Sequence, residues 1–563
     1  MRVRGASERA VHQIWNICHD DDEGKQVSRG SFERAVEVEL STWKDAFENM
    51  EFQCVDGVDG STMSLPILRL DKCLPQMCAE ADSYHHAFSK ALQQGGKLTP
   101  VLYCDEATAG NVLSVTKNRK CNLYYLSWLE MWHYLRSSQV WLPVAAVQSH
   151  ALQNLVGGAS ALMVSILQLL LTDQNAEGFP LGNGLTFRQL KKAYFLGDHE
   201  AVRAIYSLKG SAGIRPCVFC QNIVKMGSDV VSYDGWFKEI SAGTGFVTIS
   251  DQEIFALCDK MLLPCTKKSL ELQEKCAGLS YTPGSLLWPS EREKMAPSRI
   301  LYDYMHTYLC NGIASWELTL LLEEVYTRSG VTLKLLQEAV VASNWTSFKA
   351  SGKSPTYVKN LFHERMFGEG CYKGQVHQTA ALVPLIRYYL ETLFLISLPD
   401  SYVKSFRTLS NITKFVREIQ HGLCEVDERA AAHLALLQER HHELFGQCYP
   451  DQYRPKHHHR FHLSEQWKKT GVALSCEGLE SKHAIYKSSI GDHQRSLAGS
   501  NPSRFSAAVL ARLLQRTCCQ LQNNGLHFWE LLPPIKDADM DDKIGLTSMG
   551  LKTSKSNLDI NQV

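Results

Sequence analysis

The sequence predicts an α/β protein: a mixed sheet with helices, interrupted by a large all-α insertion. Three observations carry that expectation. Residues 98–224 hold short apolar and aromatic runs bounded by polar turns, the pattern of strands covered on both faces. Residues 225–454 read mostly as helices, with helical periodicity in SWELTLLLEEVYTRSG, TAALVPLIRYYLETLFLISLP and ERAAAHLALLQERHHELFG. Residues 455–520 open on a histidine cluster and close on the amphipathic segment PSRFSAAVLARLLQRTCC, a return to the core.

The elements follow in order. Residues 1–97 form a polar, helical N-terminal flank. The first strand, LTPVLYCD, ends at Asp105. The second, CNLYYLSWLEM, starts at Cys121, and the third, QVWLPVAAVQ, at Gln139. The run Leu155–Leu171 is apolar and uncharged, at the short limit for a membrane span. Ser160, Ser165 and Gln168 interrupt it and no aromatic or basic anchors flank it, so it reads as a buried helix of an α/β core. A fourth strand, KKAYFLGD, ends at Asp198. The tail, 521–563, is polar and expected to be disordered at its end.

Composition narrows the functional classes. The chain has 563 residues, with 59 Lys plus Arg against 59 Asp plus Glu, so its formal net charge is zero. That balance excludes a wholly basic nucleic-acid binder and leaves room for a local basic groove. The N-terminus, MRVRGASERAVHQ, has no apolar run of the secretory type, so the 18 cysteines are expected to be reduced thiols in an intracellular protein.

Two groups of residues point to chemistry. Asp105 and Asp198 each end an apolar run, and acids at adjacent strand ends converge from distant sequence positions. A third carboxylate, from Glu480 or Glu477 in CEGLESKH, would complete a cage for hard divalent ions. Each aspartate also reads as a turn residue or a helix N-cap, and for Asp198 capping of EAVRAIYSL is a strong competitor. The second group begins with the knuckle Cys217-Val-Phe-Cys220, which presents two sulfurs to one metal. No second such pair lies nearby. The remaining ligands would come from KHHHRFH: His462 with His458, four residues away and on one helix face, or with His457.

Taken in order, four segments resemble a known family: YCDEATAGN, GDHEAVRAIYSLKGSAGIRPCVFC, LYDYMHTYLCNGI and HHHRFHLSEQ with CEGLESKHAIYK. The chain resembles the DDE transposases of eukaryotic cut-and-paste elements, and is similar to the catalytic core of the V(D)J recombinase. The resemblance implies a ribonuclease-H-like core, with residues 98–224 as its first part, 225–454 as the helical insertion and 455–520 carrying the final catalytic helix. It implies Asp105, Asp198 and Glu480 as catalytic acids holding Mg²⁺ or Mn²⁺. It implies zinc on Cys217, Cys220, His462 and either His458 or His457. Asp303 and His306, in LYDYMHTYLCNGI, match a family motif with a structural role, and Lys487 stands where a basic residue touches the scissile-strand phosphates. The expected activity is DNA strand cleavage and transfer on transposon ends and target DNA, in the nucleus, with a homodimer as the family expectation and no membrane. The alternative is a catalytically decayed, zinc-stabilised DNA-associated or scaffold protein.

Overall fold

The computed structural model describes residues 29–55, 61–108, 120–132, 134–228, 235–288, 290–342, 360–392, 398–420, 424–490 and 501–526. The expectation of a disordered tail falls on 527–563, outside these residues.

The chain is a mixed α/β protein built on a five-stranded mixed sheet, with a large helical region beside it. An antiparallel hairpin comes first, β1 (Phe47–Gln53) with β2 (Thr62–Leu68). The sheet strands β3 (Pro100–Thr108), β4 (Lys120–Trp128) and β5 (Leu142–Gln148) follow. A small hairpin, β6 (Phe179–Gly182) with β7 (Leu185–Phe187), precedes β8 (Tyr194–Gly197). The two-residue strands β9 (Ile223–Val224) and β10 (Lys238–Glu239) pair in parallel, and β11 (Ile300–Tyr302) closes the list.

In space the sheet runs β11-β8-β3-β4-β5. Counted along the chain its members stand third, second, first, fourth, fifth, read from the β5 edge. β4 is antiparallel to both neighbours, whereas β3, β8 and β11 are parallel. Parallel neighbours require a crossover, and the helix Gly158–Leu170 lies in the one between β5 and β8.

The apolar runs have a packing reason. β5 is buried at every position and β3 from Pro100 to Cys104, as expected of strands covered on both faces. The helix Pro502–Asn524 packs on β5 and on the β1–β2 hairpin side, and Glu477–Ile490 packs on β3. Gly158–Leu170 buries Leu162, Met163, Ile166 and Leu167 against the same core. It is the helix expected from the Leu155–Leu171 run. Among the described residues no helix is long and apolar enough to cross a membrane.

Two expectations differ from the fold. The N-terminal flank is not wholly helical: β1 and β2 stand between Arg29–Thr42 and Leu70–Glu80. The flank belongs to the main core, since Trp43 Nε1 donates to Gln515 Oε1 at 3.0 Å and Arg512 Nη1 to Glu39 Oε1 at 2.7 Å. The stretch 225–454 likewise holds more than helices, because Ile300–Tyr302 pairs with Phe195–Gly197 as the fifth sheet strand. Three residues are too few to display a period of two, and only the neighbouring strand reveals them. The outer edge of β11, buried under the helix Phe461–Thr470, is satisfied by one side chain: the Tyr302 N–H donates to Gln466 Oε1 at 3.1 Å, and Gln466 Nε2 donates to the Ile300 carbonyl at 3.3 Å.

The helical region has its own core, running from Tyr302 to Trp467. Inside it lies a buried relay. Glu317 Oε2 is 2.6 Å from His441 Nε2, Arg460 Nη1 is 2.5 Å from His441 Nδ1, and Ser405 Oγ donates to Glu317 Oε1 at 2.7 Å. All three of Glu317, His441 and Arg460 are at most 1 % exposed. Burial, opposed by Glu317, lowers the His441 pKa, so its neutral ring donates to the carboxylate and accepts from the guanidinium. Removing one partner strands a buried charge. Glu317→Ala is expected to destabilise the protein by about 3–5 kcal/mol, read as a lower denaturation midpoint. An unchanged midpoint would show the relay to be dispensable.

Candidate metal centres

Among the described residues three groups of metal-type ligands assemble on this frame: one around Asp105 on β3, which runs on to Thr108 rather than ending at Asp105, a second of Asp303, His306 and Cys476, and a third at the junction with the helical region. At the first, β3 and β8 are in register through Tyr103–Leu196, so Asp105 and Asp198 stand at matching positions two residues further on. Adjacent strands are about 4.8 Å apart. Glu480 comes from the first turn of Glu477–Ile490, packed across β3. The ligand atoms of Asp105, Glu480 and His483 all lie within 4.8 Å of one another.

Asp198 does not join that tight group. Its Oδ1 accepts the Ala201 N–H at 2.6 Å, capping the helix His199–Ile205. Of the two roles read for Asp198 from sequence, cap and metal ligand, the cap is the one its side chain makes here. Asp198 still acts on its neighbour: burial, then the charges of Asp198 and Glu480, push the Asp105 carboxyl up to about 6. The Tyr103 hydroxyl at 3.2 Å and the Glu106 N–H at 2.6 Å donate to it.

Mutual repulsion of converging carboxylates is what a divalent cation relieves, so the donor set fits a hard metal ion. The sign of the pH dependence follows. Protons compete with metal below the raised pKa, so Mn²⁺ affinity should rise about tenfold between about pH 5 and 7.5. The same shift burdens the metal-free fold above about pH 6 and vanishes below the ordinary carboxylate value of 3.8. With 27 % of the Asp105 side chain facing solvent, Asp105→Asn should stabilise the metal-free protein by about 1–2 kcal/mol at neutral pH. A pH-independent Mn²⁺ titration, or an Asn variant no more stable than the native chain, would contradict this account.

The structure separates residues that spacing left paired. Glu480 faces Asp105, whereas Glu477 acts on Arg136. Close contact fixes this side of the helix: a Cβ on Gly478 would meet the Arg136 carbonyl oxygen at 2.5 Å. His483, absent from the expected site, sits with Nδ1 3.5 Å from Asp105 Oδ2. Its ring lies against Tyr103 and Tyr125 at 6.3 and 6.0 Å. Burial, and then Lys487, push it down to about 4, so it is neutral at physiological pH. The signal available was its place three residues after Glu480, on the same helix face. Lys487 itself is exposed, and Lys482 is buried instead, donating to the Ser138 carbonyl at 2.9 Å and Thr517 Oγ1 at 2.8 Å.

Asp303 and His306 follow β11, His306 in a single π-helical turn, Met305–Leu309. Asp303 Oδ2 is 2.7 Å from His306 Nδ1, and Asp303 Oδ1 accepts the Cys476 N–H at 2.9 Å. Asp303 therefore pins the start of the Glu480 helix to the end of β11. Burial works to lower the His306 pKa, but its bond to Asp303 overrides this and the net shift is upward; Asp198 adds to it. An imidazole held toward its charged form by Asp303 thus stands near Asp105.

The third group joins the 217–220 knuckle to Pro455–His459 and Phe461–Thr470, two helices that meet at Arg460 without leaving helical backbone angles. Cys217, Cys220, His458 and His462 offer ligand atoms within 4.8 Å of one another. His462 Nε2 is 3.2 Å from Cys217 Sγ, 3.7 Å from Cys220 Sγ and 3.3 Å from His458 Nε2. Burial works to raise the Cys217 thiol, yet the Cys220 bond and the His462 and His458 rings carry it well below its ordinary value. Two thiols, one of them held toward its thiolate form, and two imidazoles are a soft, four-ligand set of the kind a structural metal takes. His457 belongs elsewhere: its Nδ1 accepts the Arg454 N–H at 3.0 Å and its ring lies 4.4 Å from that of Phe445.

Compared with protein-family models the chain matches none, and among curated proteins no significant match is found.

Proposed function

We propose that the chain is a DDE-type DNA transposase or nuclease with a ribonuclease-H-like core, in which Asp105, Asp198 and Glu480 hold Mg²⁺ or Mn²⁺ and Cys217, Cys220, His458 and His462 hold zinc. One observation carries the reading: Asp105 and Glu480, far apart in sequence, bring their carboxylates within 4.8 Å of each other beside β3. The sheet supports it, because a mixed sheet with helices, interrupted by a large helical region, is the architecture this reading expects. Asp198 supports it by ending the strand beside Asp105.

Bound metal ions would activate water or a 3′-hydroxyl and stabilise the leaving oxygen. The protein's own task is positioning and charge balance, with no covalent intermediate. The Asp303–Cys476 bond holds the Glu480 helix in place, the His306 ring stands near Asp105, and exposed Lys487 offers a charge to a DNA phosphate. Duplex DNA, as transposon ends and target, is the partner, with a nuclear location and a homodimer following from the same reading.

The test is Mn²⁺- or Mg²⁺-dependent nicking of duplex DNA by the purified chain, abolished in Asp198→Asn. The cap on Asp198 favours one second reading, a descendant that keeps the zinc-tied fold and DNA association without turnover. DNA binding with no nicking in either metal selects it.

A further inference from the structure

Between the acid centre and the cysteine–histidine centre lies a stack of three rings that neither uses as ligands. His459, next to the ligand His458, is 2 % exposed. On one side it stacks on Tyr302, the last residue of β11, at 4.7 Å and 13° between planes. On the other it stacks on His199, the residue after Asp198, at 5.2 Å and 25°. Its Nε2 is 3.1 Å from the carbonyl oxygen of Pro216, the residue before Cys217. A carbonyl only accepts, so His459 donates there, and burial keeps the ring neutral by lowering its pKa well below the usual value. One imidazole therefore touches the backbone of the sulfur knuckle, the end of β11 and the first residue of the helix that Asp198 caps.

We propose that His459 is a positioning residue that transmits the placement of the cysteine–histidine knot to Asp198. This rests on the reading of Asp105, Asp198 and Glu480 as metal ligands. The knot joins segments far apart in sequence, and its position is set by the helices around Arg460. Asp198 ends a strand of only four residues, so its placement depends on what holds the following helix. The His199 ring is the lever: it moves with the backbone of Asp198 and rests flat on His459. Planar stacking fixes the spacing between two rings, and the Pro216 bond fixes the rotation of the middle one.

The test uses the full chain loaded with zinc and titrates Mn²⁺ by the loss of its free electron-paramagnetic signal. Native protein should bind Mn²⁺, and Asp105→Asn should not; if the two titrate alike, the acid reading falls and the proposal with it. His459→Ala should keep about one zinc per chain yet bind Mn²⁺ about fivefold to tenfold more weakly. His459→Phe, which keeps a flat ring, should recover most of that loss, and His459→Gln, which keeps only the donor, should not. His199→Ala removes the lever at a partly buried position and serves where a His459 variant fails to fold. It should weaken Mn²⁺ equally and add nothing to His459→Ala. Native Mn²⁺ affinity in zinc-loaded His459→Ala, additive losses in the double variant, or loss of zinc from a folded His459→Ala would each overturn the proposal.

Discussion

Asp198→Asn is expected to lower metal-dependent nicking of duplex DNA by at least about 10³-fold, the scale on which removal of one preorganised electrostatic group acts. Asparagine is the informative substitution. Asp198 Oδ1 caps the His199–Ile205 helix through the Ala201 N–H. Alanine would remove both cap and charge, costing about 1 kcal/mol of stability. Asparagine keeps an oxygen for the cap and removes only the charge, so a loss of nicking with unchanged thermal stability isolates the metal-holding role. Glu480→Gln should behave alike, because its carboxylate comes within 4.8 Å of Asp105. Glu477→Gln should not, since Glu477 acts on Arg136. Nicking that survives Asp198→Asn, or that falls equally in Glu477→Gln, would defeat the assignment.

Removal of zinc should be the largest perturbation of the fold. The purified chain is expected to carry about one zinc, and chelation should cost on the order of 5 kcal/mol. That is part of the roughly 10–16 kcal/mol that structural zinc supplies where binding and folding are fully coupled. The reason is geometric: the 217–220 knuckle lies beside the sheet, whereas His458 and His462 sit on helices that return from the helical region. Without the ion, two buried cysteines and two imidazoles face one another with nothing to join them. His458→Ala should lose the metal and His457→Ala should keep it, because His457 accepts the Arg454 N–H and packs on Phe445. Metal analysis with thermal denaturation reads both results. A chain purified without zinc and indifferent to chelator would remove this centre from the account.

Much of this arrangement was legible in the residues themselves. The apolar runs ending at Asp105 and Asp198, the sulfur knuckle and the return of an amphipathic helix after residue 500 follow from composition and period alone, since burial on both faces demands unbroken hydrophobicity. Period could not choose between residues one turn apart. Glu477 and Glu480 share a helix face, as do His458 and His462, and a neighbouring histidine competes in the second pair. Only the partners brought by packing separate them: Arg136 takes one glutamate and Asp105 the other, and Phe445 takes the spare histidine. The same holds for β11, too short to announce itself, and for His483, which becomes part of the acid site only because its helix crosses β3. The sequence by itself determined which chemical groups the protein carries and which segments must be buried. The tertiary structure decided which of those groups meet, because distances between carboxylates, thiols and rings are set by strand register and helix packing, not by spacing along the chain.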